Sequence, residues 1–201
     1  MGGQRTTARA PFGDTPTIEP LTVAAWERWV RANHAKSNGV WVRLHRKSAG
    51  SSNLSVVDAL DVVLCYGWID GLRKGESATT YLQYYTPRRA RSLWSKINRD
   101  KVQALIDAGR MQPAGFAEIE RATADGRWDA AYDPWRSAEP TPDLVAAIDA
   151  SPRARAAWDI LDRRNRFAII FRTQTARKAD TRASRIAKFV EMLERGEKIH
   201  P

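Results

Sequence analysis

The chain has 201 residues, 33 Lys and Arg against 23 Asp and Glu, and a net charge of +10. Its length and its 43% hydrophobic fraction give enough apolar material for a buried core and exclude disorder throughout. The single Cys65 excludes an intramolecular disulfide and a cysteine-cluster zinc site, and no apolar run reaches the roughly 20 residues of a membrane span.

Residues 1–17 are polar, carry Gly, Thr and Pro, and read as a disordered arm with no export signal, which points to the cytosol. Thr22 is placed to cap a helix running to about Ala35, with Val23, Trp26, Trp29 and Val30 at helical spacing. Asn38-Gly39 breaks the chain, and residues 40–46 read as a strand. After a Gly/Ser loop over 48–53, Ser55 caps a helix whose apolar stripe ends at Cys65 and Tyr66, where Gly67 stops it.

Residues 68–73 and 79–85 read as two more strands, the second (TTYLQYY) being the clearest β segment in the chain. Thr86-Pro87 has the form of an N-cap followed by proline at the first helical position, which predicts a helix from there to Ala108. Within it Leu93, Trp94, Ile97 and Leu105 would face the core. A further helix spans 113–124, and the proline-rich 133–142 reads as a linker or a surface loop. Cap-plus-proline signals recur at Thr141-Pro142 and Ser151-Pro152, and an apolar stripe from Ile186 to Leu193 marks a closing helix before Gly196.

These elements predict an α+β fold, with a small antiparallel sheet packed by helices and an all-helical C-terminal region. The expected organisation is an arm over 1–17, an α+β core over 18–132, the loop or linker at 133–142, and a helical region over 143–201.

The charge is uneven. Residues 1–110 net +8, residues 111–150 net −5 and residues 151–201 net +7, so an acidic middle lies between basic flanks. A basic chain suits an anionic partner. If the acidic segment folds against a basic one, part of that charge is neutralised internally.

No dinucleotide or phosphate-loop fingerprint is present, and His34, His45 and His200 are too scattered to mark a metal site. Neither a cofactor nor a metal is expected. Cys65 at a helix C-terminus reads as structural rather than nucleophilic.

The densest chemistry lies in TPRRARSLWSKINRDK, residues 86–101. Arg88 and Arg89 would fall in the first turn of the predicted helix, against the local dipole, unless an anion sat there to receive them. Thr86, Ser92, Trp94 and Asn98 add hydroxyl, aromatic and amide groups, and Trp68 flanks the cluster in sequence. The competing reading is a solvated or internally paired charged face. Asp70 follows bulky apolar residues and would have a raised pKa suited to acid or base work, whereas Asp70-Gly71 is also a common turn dipeptide.

Several motifs occur in order: CYGWIDG (65–71), YLQYYTPRR (81–89), SLWSKIN (92–98), GRMQPAG (109–115), DGRWDAAY (125–132) and ARKADTRASRI (176–186). Together they resemble the bacterial YdeI/OmpD-associated, or bacteriocin-protection, family over about residues 18–199. The resemblance implies a role in envelope stress and tolerance of cationic peptides, with no reaction attached. It adds Thr181, Arg182 and Arg185 to the candidate positions.

The reading that follows is a cytosolic protection-type protein binding an anionic small molecule or an acidic protein surface through Trp68, Thr86, Arg88, Arg89, Ser92, Trp94 and Asn98. One alternative is an enzyme with Asp70 as acid or base and Arg88 and Arg89 orienting an anionic substrate. Another is non-specific nucleic-acid binding by the basic flanks, which no recognition motif favours.

Overall fold

The computed structural model describes residues 15–46 and 54–201. The Gly/Ser loop over 48–53 and most of the expected arm lie outside the described residues. The chain divides into two compact units. One takes in the chain up to Ser92 together with Lys101–Asp125, and the other comprises Leu93–Asp100 and Gly126–Pro201.

The first unit holds strand β1 (Thr17–Ile18), helix α1 (Val23–Asn33), strand β2 (Val40–His45), helix α2 (Val56–Cys65), and strands β3 (Trp68–Gly75) and β4 (Thr80–Pro87). Helix α3 (Lys96–Asp107) starts in the second unit and ends in the first, which also holds α4 (Pro113–Ala124). The hydroxyls of Thr22 and Ser55 cap α1 and α2 as expected, accepting from the amides of Ala25 and Asp58. Gly67 adopts φ +74°, the left-handed turn that ends α2 and frees the chain to enter β3.

The sheet order is β1-β2-β4-β3. Its three long strands are antiparallel, as expected, but β1 joins β2 in parallel, with Thr17 opposite Trp41. The sheet is therefore mixed, and residue 17 belongs to it. Along β2, Val40, Val42 and Leu44 are buried while Trp41, Arg43 and His45 are partly open, the period-two pattern of a half-covered strand. Val40 pairs with Tyr85 of β4, whose ring centroid lies 5.5 Å from that of Trp26 on α1. Trp26 in turn donates from Nε1 to the Ala59 carbonyl of α2 at 3.0 Å, so α1, α2 and the sheet share one core.

The helix expected from Thr86 does not form. Thr86 and Pro87 end β4, with Thr86 opposite Ile69 and Pro87 opposite Trp68. Pro87 lies beyond Val40, the last β2 residue in register, so no strand on that side needs its missing amide. The helix starts at Lys96 instead, with Ser95 Oγ accepting from the Asn98 amide at 3.2 Å. Leu93 and Ile97, expected in the core, are exposed.

The second unit carries helices α5 (Pro142–Asp149), α6 (Pro152–Ile160), α7 (Arg163–Gln174) and α8 (Ala179–Glu194). Leu144, Ile148, Trp158, Ile169, Ile170 and Leu193 form its buried core. Around residue 95 the chain makes a short parallel bridge to Tyr132, and Trp94 meets Trp128 edge-on at 4.8 Å. Part of the acidic middle is neutralised here: Asp133 pairs with Lys96 at 2.6 Å, Asp143 with Arg182 at 2.6 Å and Asp149 with Arg155 at 3.0 Å.

Candidate functional site

In the first unit Trp68 is a core residue. Its Nε1 donates to the His34 carbonyl at 3.1 Å and its ring meets Trp29 edge-on. Thr86 Oγ1 donates to the Asn38 carbonyl at 3.1 Å. Arg88 is buried, with its amide on the Gly67 carbonyl. The Arg89 amide donates to Ser92 Oγ at 2.9 Å, and the Ser92 amide returns to the Arg89 carbonyl, which closes a turn.

The expected anion site at a helix start carrying Arg88 and Arg89 is thus corrected. No helix begins there, so no free helical amides accompany the two arginines. Trp94 and Asn98 belong to the second unit, where Trp94 is buried against Trp128 and the Asn98 amide serves the first turn of α3.

Asp70 lies in β3 opposite Tyr85, just before a register shift between Asp70 and Arg73. It is a strand residue rather than a turn residue, and it keeps contact with solvent. Partial desolvation raises its pKa above the ordinary carboxylate value, while the positive charges of Arg73 and Arg88 oppose that rise. Beside it, Gln83 is buried and engaged, accepting from Arg73 Nε at 2.9 Å and donating to the Gly71 carbonyl at 3.1 Å. The structure therefore couples Asp70 electrostatically to Arg73 of the same edge strand β3, to Tyr85 of the inner strand β4 and to Arg88. Cys65 is buried and its thiol is pushed up to about 11 by desolvation, which suppresses the thiolate.

The second unit contains a cavity of about 510 Å³. Its wall combines Trp135, Trp158 and Phe167 with Arg136, Arg155, Arg163 and Arg166. The guanidinium carbons of Arg136 and Arg163 lie 5.4 and 5.9 Å from the centroid of the Trp135 ring, and that of Arg166 lies 5.6 Å from Trp158. Arg155 is held by Asp149 and Asp159, and Arg166 donates to the Asp159 carbonyl at 2.7 Å. Arg136 and Arg163 form no ion pair among the described residues, so two like charges meet at one indole.

Residues 18–118, about half of the chain, match the model of a domain of unknown function, DUF8412. Residues 137–196 match the model of a family described as Bacteriocin-protection, YdeI or OmpD-Associated. The chain belongs to the first of these families, and only its residues 137–196 match the model of the second. No curated protein and no solved structure matches it.

The YdeI/OmpD-associated domain contains helices α5 to α8 and most of the arginine-lined wall. Two of the positions that the resemblance singled out, Arg182 and Arg185, hold that domain together. Arg182 grips both oxygens of Asp143 at 2.6 and 2.7 Å and donates to Thr141 Oγ1 and to the Thr173 carbonyl. Arg185 donates to the Arg172 carbonyl near the end of α7.

Sequence reasoning missed the cavity. Trp158 reads as core from its spacing, and Trp135 lies in a proline-rich stretch without periodicity. The available signal was Trp135-Arg136 itself, an aromatic and a cation side by side in a segment that had no helix or strand to explain them. Its partner Arg163 is 28 positions away and meets it only in the folded unit.

Proposed function

We propose that this protein acts in bacteriocin protection by binding an anionic small molecule in the cavity of its second unit. The observation that carries this reading is the convergence of Arg136 and Arg163 on Trp135 without a carboxylate partner among the described residues. Two guanidinium groups at one indole leave positive charge without a carboxylate partner, and an anion that reaches their forks gains charge-assisted hydrogen bonds. Arg155 is already paired with Asp149 and Asp159 and Arg166 donates to the Asp159 carbonyl, which favours the arginines beside Trp135 as the anion's place.

Non-specific nucleic-acid binding is the weaker reading, because acidic residues 133, 143 and 149 pair with basic side chains inside the second unit. The test is thermal stabilisation of the full chain by inorganic pyrophosphate, against sodium chloride at matched ionic strength. Stabilisation that vanishes in the Arg136→Ala, Arg163→Ala double variant supports the proposal. Equal stabilisation of both proteins, or of neither, overturns it.

A further inference from the structure

Resting on that reading, we infer that the ligand of the cavity is a ring-bearing phosphate of about mononucleotide size, with its flat ring stacked at Trp135 and its phosphate held by Arg136 and Arg163. Exposure is the first argument. Trp135 is 50% exposed, whereas the aliphatic wall residues Ile148 and Ile170 are 1% and 3% exposed. What a ligand meets is therefore an indole and guanidinium groups rather than the greasy lining an acyl chain would need. Charge and shape give the second. Guanidinium groups are planar, stack on aromatic rings and also fork onto phosphate oxygens, so one residue type can serve both halves of such a ligand.

The cavity wall carries flat groups in two sets, Trp135 with Arg136 and Arg163, and the buried Trp158 with Arg166. Glu139 also lines the wall, and its carboxylate can accept from an exocyclic amine on the ring. A volume near 510 Å³ falls in the range of sites that enclose a small organic ligand. A bare inorganic anion would leave most of that volume, and the exposed part of Trp135, unused.

Calorimetric titration of the full chain with AMP, ribose 5-phosphate and adenosine separates the two halves of the ligand. AMP is expected to bind about tenfold or more tightly than ribose 5-phosphate. Trp135→Leu should erase that advantage and leave ribose 5-phosphate binding unchanged, while Arg136→Ala with Arg163→Ala should weaken both phosphates. All three positions lie at the surface, and an unchanged melting temperature establishes that each variant is folded. Equal binding of AMP and ribose 5-phosphate overturns the ring inference and leaves the anion reading standing. If adenosine matches AMP, or if neither phosphate binds, the anion reading itself fails and this inference with it.

Discussion

Gly115 lies against the Cys65 carbonyl so closely that a β carbon at position 115 would sit 2.3 Å from that oxygen. The contact seats the first turn of α4 on the end of α2, and the Gln112 amide adds a 3.1 Å hydrogen bond to the same carbonyl. The obstacle is backbone, which no rotamer change can move aside. Gly115→Ala is accordingly expected to destabilise the first unit by about 2–3 kcal/mol. Urea denaturation followed by tryptophan fluorescence measures this, and a loss well under that range would mean the two helices can part without penalty.

Tyr85 is fully buried, and its hydroxyl has no hydrogen-bond partner among the described residues. Desolvation pushes the phenol far above its ordinary pKa, with the Asp70 charge adding to the effect, so it stays protonated. A buried hydroxyl without a partner contributes nothing that a phenyl ring cannot replace. Tyr85→Phe should be within about 1 kcal/mol of the parent or more stable. A larger loss in equilibrium unfolding would reveal an ordered water or another partner at that hydroxyl.

Asp70 gives a pH dependence whose sign follows from its surroundings. Desolvation sets its folded pKa above the unfolded one, although Arg73 and Arg88 pull the other way. The stability associated with its protonated form is present at low pH and lost as pH rises through the folded pKa. Asp70→Asn should therefore melt higher than the parent at pH 7, with the gap closing towards about pH 4. A parent that is the more stable at pH 7 would show that the two arginines outweigh the desolvation.

Arg182 ties α8 to the start of α5 and to the end of α7. Its fork and the Thr141 hydroxyl hold the Asp143 carboxyl well below the usual range. Asp143 is about half exposed, so solvent screens much of the pair. Arg182→Ala should cost on the order of 2 kcal/mol at pH 7, and Arg182→Lys most of that, because an ammonium cannot fork. Because the Asp143 pKa is depressed, the difference should shrink as pH falls below about 4. A difference that is constant down to acid pH would assign the whole effect to the Thr141 and Thr173 contacts.

Local chemistry made much of the fold legible. Thr22, Ser55 and Ser151 cap the helices that their sequences announce, and Gly67 and Gly196 take positive φ where helices stop. Three things were hidden for physical reasons. Thr86-Pro87 carries a helix-start signal that pairing with β3 overrides, since Pro87 sits where one flank of the strand is free. Strand β1 is two residues long, too short for propensity to show. Helix α7 buries Asn165 and Thr173 beside Ile169 and Ile170, so no clean apolar stripe marks it.

The candidate site was legible in its chemistry rather than in its place. Clustered arginines beside tryptophan pointed to an anion. The pairing that matters, Arg163 with Trp135, is made by packing a proline-rich loop against a helix, which residue spacing cannot encode.

The register shift between Asp70 and Arg73 lies on β3, the outer strand of the sheet, whose next residue is Lys74. A foreign strand seeking to extend the sheet there would meet a kinked backbone and charged side chains instead of a straight, apolar template. The irregularity next to Asp70 thus works against copies of this chain zipping together along that edge at high concentration.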